Sequence, residues 1–450
     1  MSESSHGAWS SRIMFILAAA GSAVGLGNIW RFPYIVGENG GGVFVLTYLA
    51  CIFLIGIPIL ISEVTLGRAG RQSPINSMRS LAERSNAASS WQVIGWMGAL
   101  AGFMILSFYA VIAGWAIAYL LEMLGGSFIG ADSGYAEDSF SSLTADPWAV
   151  GGWHTLFMVV TIFIAARGVS RGLETTVKYL MPMLFILLFA LVVWAGLTSG
   201  HFLEGLVFMF SFKAQSFSGE AVLMAMGQAF FTLSLGMGAI MAYGAYLPKS
   251  ASIVGSAVTI ALLDTSVALL SGMVIFPIVF ANGLESSAGP GLMFITLPLA
   301  FGQMTGGQVF GSFFFLLVTF AAITSAISLV EPAIAWLVEK FKVTRVKAAI
   351  TVGLLAWFIG LGSAFSFNIM ADITLLPGKT FFDTMDYVSN NVMLPIGGVL
   401  IAIFTGWFFN REMLSEELGD LAPWLKSVLM FLVRIVAPVG VLVLFIMSFA

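Results

Sequence analysis

Charge is what this chain has least of. Of 450 residues, 19 are Lys or Arg and 23 are Asp or Glu, together 9%. Basic clusters are missing, and with them nucleic acid as a partner. The formal net charge of −4 is spread over short connections and singles out no partner. Cysteine occurs once, as Cys51 inside an apolar run. One cysteine closes no intramolecular disulfide, and a buried apolar role suits it. The three histidines, His6, His154 and His201, stand far apart, so no zinc-ligand spacing is legible. At membrane depth there is no nucleophile–base constellation and no histidine-rich metal set, which argues against an enzyme.

What the chain has is apolar length, with 59% hydrophobic residues. The runs reach the roughly 20 residues that a helix needs to cross a bilayer. A soluble core would show amphipathic periods instead. The pattern predicts an all-α polytopic membrane protein with eleven transmembrane helices. The spans are expected at Ser11–Val36, Val43–Arg68, Trp91–Leu124, Val150–Ala166, Leu173–Leu197, Glu220–Leu247, Ile253–Asn282, Gln308–Phe341, Lys347–Phe367, Phe381–Asn410 and Pro423–Phe449. Polar stretches follow the third span, Gly125–Pro147, and the fifth, Thr198–Gly219. Pro58 is a candidate kink in the second span.

Arg12, Ile13–Ala20 and the small residues after them imitate a secretory signal. The organised polar content of Gly25–Arg31 and the span that follows at once favour a retained first helix. Lysine and arginine placement sets the orientation. With the N-terminus cytoplasmic, 15 of the 19 Lys and Arg fall on the cytoplasmic side. The stretch Gly125–Pro147 holds Asp132, Glu137, Asp138 and Asp146 but no Lys or Arg, so it belongs outside. Eleven spans leave the C-terminus extracellular. The setting is a cell (plasma) membrane, crossed many times.

Two spans are interrupted. Ala18–Arg31 carries Gly21, Gly25, Gly27, a polar Asn28 and a charged Arg31 where a continuous apolar helix is expected. Glycine weakens a helix and admits close backbone approach. Loose backbone in a bilayer is tolerated where it lines a cavity. Five spans later, Ser234-Leu235-Gly236-Met237-Gly238 repeats the interruption. Breaks at matched positions of two halves point to an inverted repeat around a midplane site. Small-residue packing between membrane helices is the plainer reading of the same glycines. A dinucleotide fingerprint does not fit Gly25-Leu26-Gly27, because Trp30 stands at the third glycine position and no strand precedes it. Thr324 and Ser325 are adjacent hydroxyls in an otherwise apolar helix, candidate ligands for a cation, and the alternative is that both bond to their own helix carbonyls.

The string Gly21-Ser22-Ala23-Val24-Gly25-Leu26-Gly27-Asn28-Ile29-Trp30-Arg31-Phe32-Pro33-Tyr34, followed by Glu38-Asn39-Gly40-Gly41-Gly42, resembles the first helix of the neurotransmitter:sodium symporters. Gly227-Gln228-Ala229-Phe230-Phe231-Thr232-Leu233-Ser234-Leu235-Gly236 resembles their sixth, and Ala321-Ala322-Ile323-Thr324-Ser325 their eighth. The order and spacing hold from about Trp9 to Gly406. Gly236-Met237-Gly238 with Asp264 resembles the bacterial transporters of bulky hydrophobic amino acids. The resemblance implies a LeuT-type 5+5 inverted-repeat fold in one transporter domain spanning 1–450. Its first repeat would cover about 11–197 and its second about 220–410, with an additional helix at about 423–449.

The resemblance also implies two sodium ions, which as hard cations take oxygen ligands. One would be held by Ala23, Asn28, Thr232, Asp264 and the substrate carboxylate. The other would be held by Gly21, Val24, Ala321, Thr324 and Ser325. Asp264 departs from the many members with Asn or Ser there, which use chloride or a nearby acid. An intramembrane acid costs roughly 2.5–3.5 kcal/mol on insertion scales and is normally partnered and functional. Asp264 is expected to replace chloride, and its protonation on the empty return step would give proton antiport. Glu63 is expected to brace the break in the sixth helix rather than bind sodium.

Amine carriers of the family place an acid where this chain has Gly25, so the substrate should bring its own carboxylate. Tyr109 would hydrogen-bond that carboxylate, and carbonyls near Ala23, Phe231, Thr232 and Ser234 would take the amine. Gly25, Gly27 and Ser325 complete the pocket floor. Ile105, Phe231, Met237 and Leu329 would face the side chain, a set that suits hydrophobic and aromatic amino acids and discriminates poorly among them. Arg31, Asp386, Gln228 and Phe231 would form the outer gate. Trp9, His6 and Glu339 would form the inner one, with Tyr246 and Glu331 nearby. His6 stands where relatives carry Arg or Lys. Gly172 and Pro182 resemble a family hinge in the fifth helix. The implied function is sodium-coupled uptake of hydrophobic amino acids. The rivals are an amino-acid-binding membrane sensor and an amine or GABA-like carrier.

Overall fold

In hydrocarbon every backbone N–H and C=O has to find its partner within the protein, so long apolar runs become long helices. The computed structural model describes residues 9–212, 218–284, 291–419 and 421–447. His6 lies outside the described residues. Among them, nine helices are long and apolar enough to cross a membrane: Gly42–Gly70, Ser89–Gly125, Pro147–Ala166, Gly172–Thr198, Ile253–Ala281, Gly307–Phe341, Arg345–Phe365, Phe381–Phe408 and Pro423–Val443. A tenth span is a bent pair, Arg12–Ala23 and Gly27–Glu38, whose halves meet at 53°. The sixth expected span appears as Gly219–Thr232 and Ala239–Ala245, each too short to cross alone. Counted in chain order as spans 1 to 11, these match the expected architecture.

Both breaks fall where glycine density predicted them. In span 1 the helix ends at Ala23, and Val24 turns to extended backbone. In span 6, Ser234, Gly236 and Gly238 all have positive φ, at 54°, 79° and 71°. Left-handed backbone cannot continue a helix, and glycine adopts it without a Cβ clash. Span 2 has a wide turn at Ile52–Gly56, directly before Pro58. Span 5 opens with another at Val169–Glu174, which contains Gly172, while Pro182 sits inside the regular helix that follows.

The spans divide into an inner and an outer set. Of their most apolar windows, 67–78% is buried in spans 2, 3, 7 and 8, against 22–44% in spans 4, 5, 9 and 11. Span 1 packs on spans 5, 7 and 8 and on the second half of span 6, which puts both broken helices in the middle of the bundle. The peripheral helices turn large apolar side chains outward, as with Ile186 and Phe189 in span 5. Such surfaces suit lipid, which solvates them as well as a protein core does.

The connections carry more structure than their composition announced. The polar stretch Gly125–Pro147 contains a helix, Ser133–Ala145, capped by Asp132. Thr198–Gly219 contains Phe202–Phe210. Residues Leu292–Gln303 form a helical segment before span 8. A two-stranded hairpin, Thr374–Leu376 with Lys379–Thr380, leads into span 10.

Candidate functional site

Where the two breaks meet, backbone atoms that a continuous helix would have consumed become available. The breaks face each other and join directly: the Ser234 hydroxyl donates to the Ser22 carbonyl at 3.0 Å, and Gln228 Nε2 donates to the Gly27 carbonyl at 2.7 Å. Glu63, fully buried in span 2, accepts the Gly236 N–H at 2.6 Å. That bond satisfies one of the donors freed by the sixth-span break.

A first polar cluster joins spans 1, 6 and 7. Asn28 Nδ2 donates to Thr232 Oγ1 at 2.7 Å and to Asp264 Oδ1 at 2.8 Å. It also reaches the Asp264 carbonyl at 3.0 Å. Thr232 Oγ1 donates to Asp264 Oδ2 at 2.9 Å. Asn28 Oδ1 accepts the Gly25 N–H at 3.1 Å, which leaves that oxygen one lone pair. All three side chains are buried. Asn28 and Thr232, 236 and 32 positions away in sequence, thus surround the Asp264 carboxylate.

A second cluster joins spans 1 and 8. The Ser325 hydroxyl crosses to the Val24 carbonyl at 3.1 Å and the Gly21 carbonyl at 3.4 Å. Thr324 keeps to its own helix, donating to the Ala321 carbonyl at 3.0 Å and the Phe320 carbonyl at 3.2 Å. The self-bonded reading therefore describes Thr324 and not Ser325. The expected donors Gly21, Val24, Ala321, Thr324 and Ser325 are gathered, and every one offers oxygen. Among the described residues no group of three or more His, Cys, Asp or Glu is arranged to hold a metal. An all-oxygen set rich in carbonyls is chemistry for a hard cation.

Between the clusters lies a cavity of about 20 Å³. It is bounded by all the expected substrate residues except Thr232, together with Ser22 and Leu26. Ile105, Phe231, Met237 and Leu329 form its apolar wall. Tyr109 reaches in from span 3, and its hydroxyl accepts the Leu26 N–H at 3.4 Å. A volume of that size suits one water rather than an amino acid, so the side chains around it are closed in. Gly25 explains part of the closeness. A Cβ there would stand 2.7 Å from Ser325 Oγ and 2.9 Å from the Tyr109 hydroxyl. No side chain fits between span 1 and those two hydroxyls.

Above the cavity, Arg31 lies over the Phe231 ring, 4.9 Å from its centre. Asp386 Oδ1 accepts from Asn390 Nδ2 at 2.6 Å. The ion pairs among the described residues do not include Arg31 with Asp386, so these two gate candidates are not in direct contact. The guanidinium is engaged with the aromatic lid instead. Below the cavity, Trp9 plugs the opposite end. Its indole N–H donates to the Tyr243 carbonyl at 3.0 Å, and its backbone N–H to the Tyr246 carbonyl at 3.3 Å. Glu339 accepts the Ser73 N–H at 2.6 Å and Asn76 Nδ2 at 2.6 Å.

Sequence reasoning passed over three groups, two on this face and one beside the cavity. Arg345 Nη1 donates to Glu331 Oε1 at 2.9 Å, and the Tyr246 hydroxyl donates to the same oxygen at 3.0 Å. Ser10 donates to Glu174 from both its backbone and its hydroxyl. Arg345 falls between two expected spans and Glu174 at the start of the fifth, and only folding brings them to Glu331 and Ser10. Ser22 and Ser328 were the third omission. Their hydroxyls meet at 2.7 Å behind the cavity, and the small-residue spacing of both helices was the available signal.

The comparisons with known proteins agree with this architecture. The model of the sodium:neurotransmitter symporter family matches residues 6–134 and 135–450. An uncharacterized sodium-dependent transporter of Bacillus subtilis, YhdH, is 37% identical over 448 residues, covering 99% of this chain and 98% of its own. One from Haemophilus influenzae is 33% identical over 454 residues, covering 97% of each chain. The crystal structure of MhsT in complex with L-phenylalanine superposes with a TM-score of 0.90 at 43% identity, covering 98% of this chain and 99% of that one. With broken helices meeting at oxygen-lined clusters and matches over its whole length, the chain belongs to the sodium:neurotransmitter symporter family and is a multi-pass, sodium-dependent transporter rather than an enzyme.

Proposed function

We propose that the protein carries hydrophobic and aromatic L-amino acids into the cell by symport with two sodium ions, independently of chloride. The observation that carries this reading is the cavity at the two breaks. Its wall is apolar at Ile105, Phe231, Met237 and Leu329, and it has no room for an acid at position 25. An amine without its own carboxylate would find no counter-charge there. An amino acid brings one, and the N–H groups at the helix breaks and the Tyr109 hydroxyl favour an anion. The L-phenylalanine bound in the MhsT complex belongs to the same chemical class.

Sodium in this reading is cargo. One ion takes oxygens of Ala23, Asn28, Thr232 and Asp264 with the substrate carboxylate, so ion and amino acid stabilise each other. The second takes Gly21, Val24, Ala321, Thr324 and Ser325, tying span 1 to span 8. The Asp264 carboxylate supplies the fixed negative charge, and its protonation on the empty return gives proton antiport. The two repeats, about 11–197 and 220–410, move relative to each other about the breaks, with the hinge at Gly172 and Pro182. The N-terminus is cytoplasmic, the C-terminus extracellular, and the membrane is that of the cell.

Uptake into proteoliposomes tests the proposal. Labelled leucine should accumulate only with an inward sodium gradient, in gluconate as well as in chloride. Phenylalanine, tryptophan, tyrosine, isoleucine and valine should compete. Best competition by lysine or glutamate, or binding without accumulation, would overturn it.

A further inference from the structure

Span 11 carries an arginine inside its apolar run. Arg434 stands between Val433 and Ile435 on the helix that begins at Pro423. A guanidinium at that position brings five N–H donors and a permanent charge into an environment that solvates neither. Its Nε donates to the Gly406 carbonyl of span 10 at 2.6 Å. The Trp407 indole N–H returns a bond to the Arg434 carbonyl at 3.3 Å, and the guanidinium lies 5.8 Å from that ring's centre. Gly406 permits the embrace, since a Cβ there would stand 2.8 Å from Arg434 Cγ.

These contacts use one donor. Among the described residues the two terminal nitrogens have no protein acceptor, and Arg434 belongs to none of the ion pairs. They border a cleft of about 700 Å³ between spans 10 and 11. Lys426 borders it too, two turns nearer the helix start. Its ammonium donates to the Ser415 hydroxyl at 2.6 Å and is in no ion pair. Two carboxylates of the neighbouring helix Arg411–Leu418 are engaged elsewhere: Glu416 pairs with Lys249 and Glu417 with Arg68. The residues that line the cleft thus include two cations and no carboxylate.

Apart from Ser427, its remaining walls are apolar. Trp407, Phe431 and Ile435 are exposed, and Met430 lies between them. Depth follows from Trp407, which stands three residues before Asn410, where span 10 has already ended. Arg434, bonded to that indole, is therefore about one helical turn, roughly 5 Å, inside the membrane edge. From there a guanidinium on a long side chain reaches up to the phosphate level that interfacial tryptophan borders. An occupant entering sideways from the bilayer would place a phosphate between Lys426 and Arg434 and lay acyl chain along Met430, Phe431 and Ile435.

We propose that this cleft is a binding site for one anionic glycerophospholipid, in the inner leaflet under the orientation above. Two uncompensated cations select a net-negative headgroup over a zwitterionic one, whose ammonium they repel. Each cation near the surface is expected to change lipid affinity by about fivefold.

Native mass spectrometry of the full, delipidated chain in a neutral detergent decides it. Phosphatidylglycerol, phosphatidylcholine and inorganic phosphate are the probes. The expected result is one phosphatidylglycerol retained per chain, at least about fivefold over phosphatidylcholine. Lys426→Gln, at an exposed position, should lower it about fivefold. Arg434→Gln should lower it as far or further, while Arg434→Lys keeps most of it. Sodium-dependent leucine binding, unchanged in Lys426→Gln, shows that the variant is folded. Equal retention of the two lipids, full retention by Lys426→Gln, displacement by equimolar inorganic phosphate, or a dimer of chains in place of the lipid adduct would each overturn the proposal.

Discussion

Gly25 and Asp264 are the single residues on which the proposed substrate and ion preferences rest. Gly25 was legible in sequence as the position where amine carriers hold an acid. Its steric meaning was not, because the crowding comes from Tyr109 and Ser325, 84 and 300 positions away. Gly25→Ala puts a methyl group 2.7 Å from Ser325 Oγ, inside a site already closed to about 20 Å³. Overpacking of that kind costs about 1–3 kcal/mol, so leucine binding in sodium should weaken roughly tenfold. Scintillation proximity binding measures this, and unchanged affinity would place the substrate elsewhere. Asp264 makes a separate prediction. Asp264→Asn keeps the hydrogen-bonded shape around Asn28 and Thr232 but removes the charge. Uptake in gluconate should then collapse, and chloride should restore part of it. A variant that transports in gluconate as the parent does would show that the carboxylate does not stand in for chloride.

At the scale of elements, what could be read in advance were the spans, since hydropathy is a local property of twenty residues. Both breaks were legible too, because glycine weakens helices wherever it clusters. The helix Ser133–Ala145 was not, as its polar composition carries no apolar stripe that marks a helix. Nor did the sequence reveal how far the halves of span 6 depend on span 2. Glu63 holds the Gly236 N–H at 2.6 Å in a fully buried setting. Hydrogen bonds to charged groups are worth about 1.5–3 kcal/mol. Glu63→Ala should therefore lower the thermal midpoint in detergent, and sodium-dependent leucine binding should fall with it because the break lines the site. A variant with parental melting and binding would reduce Glu63 to a passive neighbour. Pro182 supplies the contrasting test. Proline leaves one helical carbonyl without its N–H partner, and about two turns further toward the N-terminus the span is irregular around Gly172. Pro182→Ala restores that bond and stiffens the hinge. Uptake should slow while the leucine dissociation constant in sodium hardly moves. Equal losses in both would mean a static kink.

The whole molecule closes one face through contacts that no single span contains. Trp9 ties span 1 to span 6, Ser10 ties it to Glu174 of span 5, and Arg345 joins spans 4, 8 and 9 by bonding the Ala165 carbonyl and Glu331. Tyr246 brings span 6 to the same carboxylate. Opening this face has to separate these groups, so they stabilise the closed state differentially, which is what shifts a two-state equilibrium. Glu331 is fully buried, and removing its cation leaves a charge without a partner at a cost of about 3–5 kcal/mol. Arg345→Ala should therefore move the population toward the state open on this face by roughly two orders of magnitude or more. Hydrogen–deuterium exchange should rise in the segments around Trp9–Phe15 and Tyr243–Tyr246 and stay low in the middle of span 3. Arg345→Lys, which keeps the charge but not the paired donors, should fall between. Exchange raised throughout the chain would signal unfolding, and the intermediate Arg345→Lys response then separates gating from collapse. Exchange left unchanged at Trp9 and Tyr246 would show that the cluster holds spans together without governing access.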